Sequence, residues 1–147
     1  MDDVELAELL DQREAFPYPG TWLAAPFANR EAGGRKLAVV ARDEGLSFIG
    51  VDRADGGVWG VPEGGAPNLV NTGLTELVAC SRAYREASVR LAGTGDGPEA
   101  PGTEPLAGDH LTQTLVSRFR EIDPAAVADE NTFWSVAAEE LGYAVAD

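Results

Sequence analysis

His110 is the only histidine of the chain and Cys80 its only cysteine. Acid–base or nucleophilic chemistry must therefore be built around one ring, one thiol, or the carboxylates. General-base catalysis at His110 needs a nucleophile and an orienting acid to converge on that residue, and its place beside Asp109, at an expected helix start, reads as an exposed polar position. Cys80 falls within a helical stretch with no local lysine or histidine to lower its pKa, so it reads as a small buried thiol. Carboxylate pairs occur at Asp43-Glu44, Asp52 with Asp55, Asp129-Glu130 and Glu139-Glu140, but 25 acids in 147 residues make such neighbours expected, and none marks a glycosidase. The stretch DRADGG at 52–57 has the outline of a calcium loop, with Glu63 twelve positions into it. Ala54 and Gly56, however, stand where oxygen ligands are needed, so a hairpin turn fits better. The glycines of GGVWGVPEGG are followed by neither a lysine nor a helix start, which phosphate loops require; they read as turns flanking a strand. Trp22, Trp59 and Trp134 lack an accompanying Lys/Arg cluster and read as core anchors instead of a base-stacking platform.

The elements that would position these residues follow from composition and periodicity. With 44% hydrophobic residues in 147, the chain has material for one core, and a single domain spanning 1–147 is expected. No apolar run approaches the eighteen or so residues of a membrane span. The start MDDVELAELL carries acids in place of a basic region, so it reads as a helix start, and a cytoplasmic location is expected. One cysteine allows no internal disulfide, in keeping with a reducing compartment. The formal net charge is -14 and the pI about 4.3, which repels phosphate backbones and anionic lipid. Neither nucleic acid nor membrane is an expected direct ligand. The charge fits a solvated surface or a surface that attracts a basic protein, and does not choose between them.

Asp2 or Asp3 can cap a first helix whose Leu6, Leu9 and Leu10 form a stripe before Pro17 and Pro19. TWLAAPF leads to a bend at Gly33-Gly34. The runs RKLAVVAR, LSFIGVD and VWGV, joined by glycine-bearing turns, then read as an antiparallel meander. LSFIGVD carries apolar groups on both faces and should be well covered. Asn68-Leu69-Val70 is one more extended piece, after which Asn71 is placed to cap a helix running to about Ser88, with Leu74, Leu77, Val78 and Tyr84 on one side. Residues 92–109, rich in glycine, proline and acids, read as an exposed loop. Asp109 can cap a helix bearing Leu111, Leu115, Phe119 and Ile122, and Asp123-Pro124 starts a short turn. Asn131 or Thr132 can cap a last helix carrying Trp134, Ala137, Ala138 and Leu141, ending at Gly142. The class is α+β: a central antiparallel sheet with helices before and after it.

The order of these pieces, a hairpin ending in GGVWGV, then LVNTGLTELVACSRAY, an acidic loop and EIDPAAVADENTFWSVAAEEL, resembles the fourth family of the SUKH superfamily, bacterial immunity proteins related to the yeast Smi/Knr cell-wall regulators. The resemblance covers roughly residues 20 to 141. Its most telling pieces are the glycine-valine-tryptophan strand, Val70-Asn71-Thr72 leading into a helix with Leu74, Leu77 and Tyr84, and Ile122-Asp123-Pro124 followed by Phe133-Trp134. The resemblance implies a non-enzymatic inhibitor, without cofactor or metal, that binds a cognate toxin, commonly a nuclease or nucleic-acid deaminase, and blocks it in the producing cell. Nucleases tend to be basic, so an acidic inhibitor competes with their substrate and is steered to them.

No binding residue follows from the resemblance. Candidate partner contacts come from exposure alone: Glu44, Asp52, Asp55 and Glu63, on the turns around the sheet. Two other readings stand beside the immunity protein: a protein-interaction or regulatory module on the same scaffold without a toxin partner, and a small acid–base enzyme, which would need a deep pocket holding a carboxylate of raised pKa.

Overall fold

The computed structural model of the chain describes residues 2–14, 16–18, 20–95 and 108–146. Apolar alternation in the middle of the sequence produces the sheet. Strands β3 (Arg35–Asp43), β4 (Ser47–Asp52), β5 (Val58–Pro62) and β6 (Asn68–Asn71) form an antiparallel meander, and β1 (Thr21–Trp22) and β2 (Asn29–Ala32) both pair with β3. The strand order is β1-β3-β4-β5-β6, with β2 beside the first half of β3. Strand β2 is largely exposed, so NREA carries no apolar alternation by which it could be foreseen. It is fixed by its turn: Ala32 pairs directly with Arg35, and Gly33 and Gly34 take φ of 57° and 78°, the double positive φ that a two-residue hairpin demands.

Both faces of the sheet are covered, as the two-sided apolar pattern of LSFIGVD requires. Ala38, Val40, Ile49, Val51, Val58 and Val70 join the main core on the helix side. Leu37, Val39, Phe48 and Val61 form a smaller cluster on the opposite face, with Ala32 and half-buried Trp59 against it. Here Gly50 is required by space, since a Cβ at that position would lie 2.7 Å from Leu37 Cβ. Arg30 and Arg35 lie over the rings of Phe48 and Trp59, at 4.9 and 4.6 Å from the centroids.

Helix α1 (Asp3–Leu10) is capped by Asp2, whose carboxylate accepts the Glu5 N–H at 2.9 Å, and it buries Leu6 and Leu10. Helix α2 (Leu74–Gly95) runs past Ser88, so residues 92–95 of the expected loop are helical. Residues 96–107 of that loop lie outside the described residues. Helix α3 (Gly108–Ile122) already includes Asp109, which therefore does not precede it as a cap. It buries Leu111, Leu115 and Phe119 and packs along α4 (Phe133–Ala146), reached through a 3₁₀ turn at Pro124–Val127. Thr132 immediately precedes α4, its carbonyl accepting the Val136 N–H at 3.0 Å and its hydroxyl bonding that of Ser135. Gly142 does not stop α4, which continues to Ala146. A penalty of about 1 kcal/mol for glycine inside a helix is too small to end one whose earlier turns are packed.

Asn71 does not cap α2. It is the last residue of β6, paired with Val58, and α2 begins only at Leu74, with the Gly73 carbonyl accepting the Leu77 N–H. The Asn71 side chain turns inward and is fully buried. Its Oδ1 accepts the Trp134 indole N–H at 2.7 Å, and its Nδ2 donates to Asp123 Oδ2 at 3.1 Å and weakly to Cys80 Sγ at 3.6 Å. The Asp123 carboxylate, itself 3% exposed, also accepts the Thr72 N–H at 2.8 Å and the Thr72 hydroxyl at 3.1 Å. Three neutral donors thus converge on one buried carboxylate, which satisfies a group that would otherwise be expensive to bury. Trp134 is fully buried, as expected, among Phe119, Tyr84, Phe133 and Phe16, the last stacked on Phe133 at 4.7 Å.

A lost helix cap would cost about 1 kcal/mol. Removing Asn71 instead strands the Trp134 N–H and one bond of Asp123, at about 1–3 kcal/mol for each unsatisfied group. Urea unfolding of Asn71→Ala, Trp134→Phe and the double variant is expected to give strong coupling, about 1–3 kcal/mol, between the two sites. Additive losses would show that the indole–amide bond contributes nothing of its own.

Candidate interaction surface

Among the described residues, Cys80 and Asp123 are sealed in the core, while many carboxylates are spread over the surface. Cys80 is fully buried, and burial pushes its thiol pKa up to about 12, with Asp123 and Glu76 adding to the rise and the Asn71 amide opposing it. His110 lies in the first turn of α3. Asp129 accepts the Asn131 N–H at 2.7 Å and so serves a turn, and Glu139 and Glu140 are exposed on α4. Among the described residues no three His, Cys, Asp or Glu side chains gather closely enough to hold a metal ion, and no helix is long and apolar enough to cross a membrane.

The four candidate contact residues divide between the two ends of the sheet, because consecutive antiparallel turns alternate ends. Glu44 lies in the β3–β4 turn and Glu63 in the β5–β6 turn. These turns are adjacent, the Glu63 N–H bonding the Leu46 carbonyl at 2.8 Å. Asp52 ends β4 and Asp55 lies in the β4–β5 turn, one β4 length away: roughly 17 Å for six residues at about 3.3 Å per step.

The two ends differ in how their acids are engaged. Glu44 and Glu63 are exposed, and Glu44 is paired with Arg42 at 2.8 Å. Asp52, expected to be exposed, is buried. One of its oxygens accepts the Ala54 N–H at 2.8 Å and the other is bonded to Arg35 Nη1 at 3.0 Å. Asp55 keeps an exposed carboxylate, but it accepts the Gly57 N–H at 2.8 Å and also bonds Arg35 at 3.2 Å. The DRADGG stretch is therefore a hairpin turn whose acids hold their own backbone, as Asx turns do, and clamp the start of β3 through Arg35. Arg53 of the same turn reaches Asp3 at 2.6 Å and Asn29 at 2.9 Å, tying α1 to the sheet end. Arg35 and Arg53 were not foreseen because their roles rest on pairings between distant segments. The only signal was an arginine directly after the Gly-Gly turn, across from the DRADGG acids.

A thiol with a pKa near 12 is almost wholly protonated at neutral pH, and thiolate is the reactive form. Iodoacetamide at pH 8 is therefore expected to label Cys80 only at the rate at which the protein unfolds, with labelling accelerated in urea. Rapid labelling of folded protein would show that the core opens locally at this site.

The chemistry of the interior is thus structural, and what the chain offers to others is its surface. The profile of the SUKH-4 immunity protein family matches residues 4–140, a span that takes in α1 as well as the segments singled out in the sequence. No curated protein and no solved structure matches the chain. Two of the three sequence pieces most telling of the resemblance, Val70-Asn71-Thr72 and Ile122-Asp123-Pro124 followed by Phe133-Trp134, meet in the buried Asn71–Asp123–Trp134 cluster. With a match over nearly its whole length, the chain belongs to the SUKH-4 immunity protein family.

Proposed function

We propose that this chain is a non-enzymatic inhibitor that binds a basic cognate toxin acting on nucleic acid, a nuclease or a deaminase, in the cytoplasm of the producing cell. The observation that carries the reading is a net charge of -14 on a member of an immunity family. A toxin that handles phosphate backbones is drawn to such a surface and is prevented by it from reaching its substrate. Supporting this, the reactive groups that an enzyme would need are otherwise engaged: Cys80 is sealed with its thiol protonated, Asp123 is held by three donors, and Asp52 serves a turn. The Glu44/Glu63 end of the sheet is the better candidate for first contact, because both its acids are exposed, whereas at the other end Asp52 is buried and the exposed Asp55 shares Arg35 with it and holds the Gly57 N–H.

Steering by exposed charge acts on the on-rate and is screened by salt, with a Debye length of about 8 Å at physiological ionic strength. Surface-plasmon kinetics against the toxin domain encoded beside this gene are expected to show an on-rate that falls steeply between low and physiological salt. Glu44→Lys with Glu63→Lys should lower the on-rate more than it raises the off-rate. An on-rate indifferent to salt rejects electrostatic steering. Absence of binding, together with no protection of cells expressing that toxin, rejects the toxin reading.

A further inference from the structure

An open groove of about 820 Å³ runs between the helix-side face of the sheet and α4, at the end where the Glu44 and Glu63 turns lie. Its floor is Ile49, Gly60 and Val70 from β4, β5 and β6, and one wall is Phe133, Val136 and Ala137 of α4. Tyr18, its hydroxyl bonded to that of Ser47 at 2.7 Å, closes the other side. The groove is open partly because residue 60 is glycine. A Cβ there would stand 3.6 Å from Val70 Cγ2 and 3.8 Å from Ile49 Cδ1, ordinary contact distances, so a methyl group would fit where the protein supplies none.

Two further observations bear on what fills it. Val136, which lines the groove, is 38% exposed, so part of its apolar surface faces solvent. Among the described residues, Glu140 is the single charged residue in the lining, and the exposed Asp129 and Glu130 directly precede the lining residue Asn131 in the chain. A concave apolar floor with the Glu140 carboxylate at its edge, on a chain of net charge -14, is complementary to an apolar side chain with a cationic neighbour. An apolar anchor in a pocket with charge around it is also how protein interfaces concentrate their affinity.

We propose that this groove is the docking site for a short apolar segment of the toxin flanked by lysine or arginine, with Val136 and the Gly60 floor receiving the anchor and Glu140 facing a cation. The inference rests on the toxin reading above and assigns the surface by which it operates. It places the contacts that set the off-rate beside the acids that set the on-rate.

The test fills the groove from within. Gly60→Val puts a strand-favouring side chain into the groove, its Cβ at contact distance from Val70 and Ile49, with folding checked by the melting temperature, while Glu140→Lys reverses the lining charge. Kd is measured for wild type, both variants and a control, Val89→Ser on the exposed side of α2, against the toxin domain encoded beside this gene. Sedimentation of the chain alone accompanies each. The expected result is a rise in Kd of roughly tenfold or more for Gly60→Val, mostly in the off-rate, a smaller rise for Glu140→Lys, and none for Val89→Ser. Wild-type binding with undiminished affinity in a folded Gly60→Val overturns the groove proposal and leaves the immunity reading standing. A wild-type dimer that Gly60→Val converts to monomer overturns it in favour of self-association. No wild-type binding at all overturns the toxin reading, and the groove proposal with it.

Discussion

One buried amide links the parts of this protein that are far apart in sequence. Asn71, at the end of β6, receives the indole proton of Trp134 from α4 and donates to Asp123 at the junction of α3 with the 3₁₀ turn. Asp123 in turn accepts two bonds from Thr72. An asparagine can do this because it presents an acceptor and a donor from one rigid plane. An aspartate at that position would place a second carboxylate against Asp123, and a leucine would strand both partners. Buried away from water, each bond has few alternatives, so the cluster fixes how the α3–α4 pair docks on the sheet edge and where α2 must start.

Once that docking is set, the buried Asn71, Cys80 and Asp123 are engaged with one another. The thiol of Cys80 is beneath the cluster and protonated, and the aromatic rings of Phe16, Phe119, Phe133 and Trp134 fill the space around it. Binding capacity is left to the periphery: exposed carboxylates on the turns and an apolar groove kept open by a glycine. A scaffold whose central Asn71–Asp123–Trp134 cluster satisfies its own polar groups can vary its surface without disturbing that joint, which suits a protein whose task is recognition.

Much of this was legible in the sequence, and what was not has physical causes. The β3–β5 meander, the α1 cap, the α4 stripe and the buried Trp134 followed from alternation, helical periodicity and capping chemistry. Strand β2 was hidden because it is mostly exposed and polar, its place decided by the Gly33-Gly34 turn and not by burial. Asn71 was read as a cap because local chemistry offers an asparagine before a helix that role. Its partners at 123 and 134 are reachable only through tertiary packing. Asp52 was expected at the surface for the same local reason, and was drawn inward by Ala54 and Arg35. The groove was not visible at all, since it is made of segments around residues 17, 47, 60, 68 and 133 that only the fold brings together.

The claim that the Asn71 cluster unites sheet and helices is tested most directly by hydrogen exchange read by NMR at the Trp134 indole N–H and the Thr72 amide. If the cluster is the joint of the structure, both protons exchange only through global unfolding, with opening free energies equal to the unfolding free energy from denaturant titration. Exchange of either proton through a local opening far below that value, while the amides of β4 stay protected, would contradict the account.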